Sequence, residues 1–262
     1  MTDDDERLII TRDEHLRMRA QEYLTSVGNY MFPILAESDR PGLLDLWGTG
    51  IAVQKNGKYY LCTAEHTIKR LLGNEGREIF IGTGDIDTPG SVYLLPLAYN
   101  THWRFHTTAA LDLAVLPIPK LLDGLTFFPF EKISRGYAPA MRSHYFLAGY
   151  PVSQNKLRDV NPRGEPKRTG ILSVIVSIDQ ALDFKADGMN TTDFLGFKYQ
   201  KVYVEGELHE FGVGLRGVSG GGLWFFPNEV IENPYLAGVF IEWHKSKNGY
   251  ATLGKHLKDL FD

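Results

Sequence analysis

Cysteine is nearly missing from the sequence, in which Cys62 is the only one among 262 residues. A single thiol cannot form a disulfide within the chain, so packing and hydrogen bonds must hold the fold, as suits a reducing compartment. The acidic segment of residues 1–7 has no apolar stretch of the kind found in signal peptides. No run reaches the roughly 18 apolar residues of a membrane span. We therefore expect a cytoplasmic protein with no membrane partner.

A concentration of positive charge is missing as well. The chain has 28 Lys and Arg against 32 Asp and Glu, which gives a net charge of −4. Its most basic segment, residues 161–170, contains two prolines and two glycines, which indicates a solvated loop and not a phosphate-binding surface. Nucleic acid is therefore not an expected partner.

The residues that are present predict a β protein. Hydrophobic residues make up 43% of the chain, which is enough for a sizeable core. From residue 43 onward, short β-type runs alternate with turn residues, and Asn56-Gly57 has the composition of a two-residue hairpin turn. Apolar residues at helical spacing predict an amphipathic helix over 12–32, ended by Pro33, and a short helix over 250–261.

These elements predict an all-β fold with two six-stranded antiparallel barrels and a helix at each end. The predicted boundaries are 1–42 for the N-terminal helix and linker, 43–125 for the first barrel, 126–247 for the second and 248–262 for the C-terminal helix.

Two segments in the first half supply candidate catalytic groups. In Thr63-Ala-Glu-His66 a predicted strand ends at a histidine, and a lone histidine in this position more often has a structural role. In Asp112-Leu-Ala-Val115 an aspartate stands at the start of an apolar strand, where its ionised carboxylate needs a partner such as a histidine.

A third segment, Gly217-Val-Ser-Gly-Gly-Gly-Leu223, places Ser219 among glycines. Glycine allows the tight backbone that directs two N–H groups at one point, as an oxyanion requires. A phosphate cradle would need a lysine followed by Ser or Thr after the glycines, and this segment has neither.

In this order, the three segments resemble those of the trypsin-like (chymotrypsin-fold) serine peptidases, of a bacterial cytoplasmic type. The family's Thr-Ala-Ala-His, Asp-Ile-Ala-Leu and Gly-Asp-Ser-Gly-Gly-Pro-Leu match them in turn. Two softer matches are Trp47-Gly-Thr-Gly-Ile-Ala-Val53, with Thr49 where the family has serine, and Phe146-Leu-Ala-Gly-Tyr-Pro151.

The resemblance implies a serine endopeptidase of the chymotrypsin/trypsin fold that hydrolyses peptides or proteins through an acyl-enzyme. Ser219 would be the nucleophile, His66 the general base and Asp112 the group that orients it. The N–H groups of Gly217 and Ser219 would form the oxyanion hole, and no metal or cofactor is called for.

Substrate-binding residues follow from the same resemblance. Val213 would lie near the base of the pocket for the side chain before the cut, which favours apolar or small side chains. Ile241, Glu242 and Trp243 would form the edge that pairs with the substrate backbone.

Val218 departs from the family, in which many secreted members have an aspartate that pairs with a newly cut N-terminus. Valine cannot form that ion pair, so either the oxyanion loop is preformed or an unknown protein activator orders it. The alternative function is a catalytically silent peptide-binding module on the same fold.

Overall fold

The computed structural model describes residues 12–38, 44–72, 79–83, 93–97, 104–105, 109–118, 126–135, 145–152, 171–176, 178–179, 182–198, 202–204, 207–209, 215–243 and 248–261. Three α-helices are present in this part of the chain: α1 (Arg12–Val27), α2 (Glu65–Leu72) and α3 (Gly254–Asp259). The remaining regular structure consists of strands in two sheets, with a few 3-10 turns.

The first sheet contains eight strands from the first half of the chain. They are β1 (Met31–Glu37), β2 (Leu44–Lys55), β3 (Lys58–Ala64), β4 (Ile79–Thr83), β5 (Tyr93–Leu97), β6 (Arg104–Phe105), β7 (Leu113–Ile118) and β8 (Phe128–Pro129). The strand order is β5-β4-β1-β2-β3-β7-β6, and β8 pairs with β2. All of the pairs are antiparallel except for β2 with β8.

The second sheet contains the other eight strands. They are β9 (Tyr145–Gly149), β10 (Leu172–Val176), β11 (Phe194–Lys198), β12 (Val202–Val204), β13 (Glu207–His209), β14 (Gly222–Phe225), β15 (Tyr235–Trp243) and β16 (Asn248–Leu253). The order is β11-β16-β15-β14-β9-β10-β12-β13. An antiparallel bridge between Ile178, which follows β10, and Phe197 of β11 links two strands that stand apart in this order.

The two sheets share one large apolar core. Ile51 and Val53 of β2 belong to the same buried cluster as Phe146 of β9 and Trp224 of β14. The ring of Trp224 meets that of Phe128 edge to face, with centroids 4.9 Å apart. Apolar burial between the sheets therefore fixes how they sit against each other.

Both ends of the described chain tie the two sheets together. Tyr23 of α1 stacks on Phe226 next to the second sheet, with ring centroids 4.0 Å apart, while β1 directly after α1 joins the first sheet. At the other end, Phe261 lies just after α3, which follows β16 of the second sheet. Its ring packs edge to face on Tyr60 of β3 in the first sheet, with centroids 4.9 Å apart.

The prediction of an all-β fold with a helix near each end is confirmed, and so is the Asn56-Gly57 turn. Lys55 pairs with Lys58, and both turn residues have positive φ, 50° and 72°, as a type I′ hairpin requires. None of the helices in the described segments has the length and apolar character to cross a bilayer.

The predicted extent of both terminal helices is wrong. Helix α1 ends at Val27, and Met31–Glu37 forms β1 of the first sheet, which the boundary at residue 43 leaves out. At the C-terminus, Asn248–Leu253 is β16 and only Gly254–Asp259 is helical. In both places the residues gain strand partners on two sides, and this tertiary pairing outweighs the local helical spacing.

Candidate active site

The register between β3 and β7 brings His66 and Asp112 together. Ala64 pairs with Leu113, so Glu65, which follows Ala64, lies opposite Asp112, which precedes Leu113, and His66 is one residue further on. Helix α2 begins at Glu65, directly after β3, and carries His66 in its first turn.

Asp112 holds His66 through both carboxylate oxygens. Oδ2 lies 2.5 Å from Nδ1 of the imidazole, and Oδ1 accepts a hydrogen bond from the His66 backbone N–H at 2.8 Å. The Asp112 carbonyl also accepts from the Glu65 N–H at 3.0 Å. With a proton on Nδ1, the other ring nitrogen, Nε2, is left as the basic atom.

The backbone of Asp112 is unusual, since its φ is 50°. Residues other than glycine seldom adopt positive φ, although aspartate tolerates it better than most. Such conformations cluster at functional sites, where neighbouring interactions hold them in place.

Ser219 lies in the turn before β14, within Leu215–Gly220. Gly217 and Gly220 in this turn have φ of 93° and 88°, values that side chains strongly disfavour. Gly220 also packs so tightly that a Cβ there would lie 2.0 Å from the Thr49 carbonyl oxygen. The glycines are thus required by conformation and by contact with the first sheet.

The hydrogen bonds around Ser219 leave the N–H groups on either side of Val218 without an acceptor in the described part of the chain. The N–H groups of Val218, Gly220 and Gly221 donate to the carbonyls of Leu215, Phe240 and Val218, respectively. Those of Gly217 and Ser219 make no hydrogen bond there. They are the two predicted oxyanion donors, and alternate amides of one turn can serve one anion.

The Ser219 hydroxyl donates to the Ile241 carbonyl at 3.1 Å. No hydrogen bond joins it to His66 among the described residues. The two chain segments are nevertheless neighbours: a Cβ on Gly48 would lie 2.5 Å from the Thr67 side chain and 3.0 Å from the Ser219 carbonyl oxygen. Catalytic hydrogen bonds are often absent or long before substrate binds, so this geometry is compatible with a serine and histidine that act together.

The predicted substrate edge lies at the end of β15. On its β14 side, β15 is paired with β14 from Tyr235 to Val239. The following residue, Phe240, makes two backbone hydrogen bonds, one with Gly220 and one with Gly221. Beyond Phe240, that side has no strand partner in the segments that the structure describes. Ile241 is buried; the side chains of Glu242 and Trp243, and the whole of Val213, lie outside the described residues.

Thr49 on β2 is a contact residue of the Ser219 turn that the sequence analysis noted only as a substitution for serine. Its hydroxyl donates to the Gly217 carbonyl at 3.0 Å and accepts from the Tyr150 N–H at 2.8 Å. Its backbone N–H donates to the Ser219 carbonyl at 2.8 Å. The Gly-Thr-Gly sequence around Thr49 was the available signal.

Cys62, the other side chain capable of nucleophilic attack near His66 in sequence, is fully buried in β3. Burial raises the pKa of its thiol well above the ordinary value, which keeps it protonated and unreactive. We expect no reaction of the native protein with a thiol reagent such as dithionitrobenzoate, and reaction of one thiol per chain in denaturant. Rapid modification of the native protein would contradict this burial.

Clusters of three or more His, Cys, Asp or Glu side chains that could hold a metal ion do not occur in the described ranges. The chain matches no protein-family model and no curated protein.

Proposed function

We propose that this protein is a serine endopeptidase of the chymotrypsin/trypsin fold. The observation that carries the proposal is the His66–Asp112 pair, in which both carboxylate oxygens are engaged, beside a glycine turn whose Gly217 and Ser219 N–H groups have no acceptor among the described residues. These are the three parts that acyl transfer to a serine requires: a base, a group that fixes its tautomer, and donors for the oxyanion.

The strand order supports two barrels of equal design. With β1, β2, β3, β4, β5 and β7 numbered 1 to 6 along the chain, the first sheet runs 5-4-1-2-3-6, and β6 pairs with strand 6. With β9, β10, β11, β14, β15 and β16 numbered in the same way, the second sheet runs 3-6-5-4-1-2, and the Ile178–Phe197 bridge joins strands 2 and 3. The two orders are the same when read as a circle, which is what two six-stranded barrels would show.

The reaction proceeds in two acyl-transfer steps. The Ser219 hydroxyl turns from the Ile241 carbonyl toward His66, gives its proton to Nε2 and attacks the scissile carbonyl carbon. His66 then gives that proton to the departing amine nitrogen, which leaves an ester on Ser219. Water attacks this ester with the same proton transfers and releases the carboxylic acid, while Asp112 stays ionised throughout.

The side of β15 beyond Phe240, which has no strand partner among the described residues, suits an endopeptidase. An extended substrate can add there as a further strand, and its backbone groups would satisfy those of β15. Because such pairing needs several extended residues of substrate and not a free chain end, we expect internal peptide bonds to be hydrolysed.

Labelling with a fluorophosphonate tests the proposal, because this reagent phosphonylates activated serines. The wild-type protein should be labelled on Ser219, and labelling should disappear in Ser219→Ala and His66→Ala. Ser26→Ala is a matched control that should keep full labelling. Ser26 lies on helix α1, where its hydroxyl donates to the Ile231 carbonyl at 2.7 Å. Wild-type protein that has not been treated with the reagent should also cleave internally quenched peptides, and labelling of Ser219 should abolish this cleavage.

A second function, a peptide-binding module without catalysis, is favoured by one observation, the hydrogen bond of the Ser219 hydroxyl to Ile241 instead of His66. Folded wild-type protein that binds extended peptides but is never labelled, with or without added partner proteins, would establish this alternative and overturn the proposed hydrolysis.

A further inference from the structure

The turn that carries Ser219 is fixed one peptide unit at a time. The Arg216 carbonyl accepts from the Val152 N–H at 2.7 Å, and the Val218 carbonyl accepts from the Gly221 N–H at 2.7 Å. Because a trans peptide is planar, with its N–H opposite its C=O, each of these bonds also sets the direction of the following N–H. Those N–H groups belong to Gly217 and Ser219, the two proposed oxyanion donors, which have no acceptor in the described ranges.

The peptide between these two donor units is held from the other sheet. Its Gly217 carbonyl accepts from the Thr49 hydroxyl at 3.0 Å, and its Val218 N–H donates to the Leu215 carbonyl at 3.0 Å. The 219–220 peptide, which follows the second donor, is also held by Thr49, because the Ser219 carbonyl accepts from the Thr49 N–H at 2.8 Å. Thr49 thus contacts both units that flank the Ser219 amide.

Thr49 is itself rigidly placed. It is fully buried on β2, its hydroxyl accepts from the Tyr150 N–H, and its carbonyl accepts from the Thr63 hydroxyl at 2.7 Å. Because the hydroxyl accepts from Tyr150, its one proton is directed to the Gly217 carbonyl. A bond of this kind is directional and cannot be replaced by water in a site without solvent.

Val218 completes the arrangement through packing. It is fully buried in the apolar cluster of the second sheet, and its side chain lies 2.9 Å from the position that a Cβ on Gly149 would occupy. Where an aspartate would need a cationic partner here, valine needs only this apolar cavity. The carbonyl groups of residues 216–219 and the Val218 side chain therefore all have partners among the described residues.

We propose that Thr49 is a positioning residue that keeps the oxyanion turn in its working conformation, so that neither N-terminal cleavage nor a protein activator is required. This inference rests on the proposed function. Without the Thr49 hydroxyl, the 217–218 peptide keeps only the bond from its N–H to Leu215, and rotation of its unheld carbonyl would turn the neighbouring donor N–H groups away from one another.

Three substitutions at Thr49 test the role of the hydroxyl. Thr49→Val keeps the shape and removes the hydroxyl, Thr49→Ser keeps the hydroxyl, and Thr49→Ala removes it without adding a methyl group beside Gly149. With a peptide ester substrate, we expect Thr49→Val and Thr49→Ala to lower kcat on the order of a hundredfold, as loss of an oxyanion donor does, with little change in KM. Thr49→Ser should remain close to wild type.

Thr63→Val serves as the matched control, since it removes another fully buried hydroxyl, which donates to the Thr49 carbonyl and lies beside Gly220 but makes no hydrogen bond to residues 217–219. It should lower thermal stability with a much smaller effect on kcat than Thr49→Val. A folded Thr49→Val or Thr49→Ala protein with wild-type kcat would overturn the proposal, as would an equal loss in Thr49→Ser.

Amide hydrogen exchange separates this inference from the proposed function, because it needs no activity. In Thr49→Val and Thr49→Ala, the N–H groups of Val218, Gly220 and Gly221 should exchange at least about tenfold faster than in wild type, while Thr49→Ser should match wild type. Unchanged exchange would refute the role of Thr49 even in an active enzyme. Faster exchange in a protein whose Ser219 is never labelled would refute hydrolysis alone.

Discussion

Replacement of Asp112 by asparagine should leave the protein folded and lower kcat by about four orders of magnitude, the loss seen when a catalytic triad holds its histidine in the wrong tautomer. Asparagine tolerates the positive φ of this position. Its amide oxygen can still accept from the His66 backbone N–H. Its NH₂ group, however, would face Nδ1 and require that atom to be an acceptor, which moves the ring proton to Nε2 and removes the base.

A second histidine and aspartate pair provides the control. His256 Nε2 lies 2.8 Å from Asp193 Oδ1, where the C-terminal helix begins. Asp193→Asn makes the same chemical change in a second pair. Neither His256 nor Asp193 takes part in the hydrogen bonds described above for the Ser219 turn. The kcat of this variant should stay within about threefold of wild type, a difference typical of substitutions outside the site. Steady-state kinetics on both variants, with thermal unfolding to verify folding, would contradict the triad if Asp112→Asn retained more than a tenth of the activity.

Gly220→Ala should destabilise the protein by more than about 4 kcal/mol, which is exceptional for a point substitution. The new Cβ would lie 2.0 Å from the Thr49 carbonyl oxygen, 2.2 Å from the Thr63 hydroxyl oxygen and 3.1 Å from the Ala64 N. Two of these atoms belong to backbone in the centre of the first sheet and cannot move aside. The φ of 88° adds conformational strain.

Gly188→Ala separates the two causes. Gly188 also has positive φ, 75°, but a Cβ there meets nothing within 4 Å. Its replacement should therefore show the conformational cost alone, about 1–2 kcal/mol. Chemical denaturation of both variants gives the free energies of unfolding to compare. Equal losses at the two positions would mean that the contact with Thr49 and Thr63 contributes nothing.

Local sequence was a good guide where one short segment decides the structure. Asn56-Gly57 specified its hairpin because both residues tolerate positive φ. Local sequence was a poor guide at β1, since Met31–Glu37 continues the apolar spacing of helix α1 and contains a proline. Pro33 fits there because it pairs only with Thr49 on β2, and pairing with β4 starts at Ile34, so no N–H toward β4 is needed.

For the candidate site, the order of motifs identified which residues to examine, and the strand register accounts for the His66–Asp112 contact. The part played by Thr49 could not be predicted in this way. Its hydroxyl meets a carbonyl 168 positions away, and that contact depends on how two sheets pack, which no local pattern encodes. The Ile241 carbonyl, which holds the Ser219 hydroxyl, was equally hidden, because backbone groups have no sequence signature.

The hydrogen bond between Thr49 and Gly217 also bears on when the protein becomes active. A ribosome makes the first sheet, with His66 and Asp112, long before the turn that carries Ser219. That turn obtains its partners only after the two sheets have met, since Thr49 comes from one and Gly217 from the other. Under the proposed function, a half-made chain therefore has no hydrolytic activity toward itself or its neighbours. Activity would begin only when folding is complete.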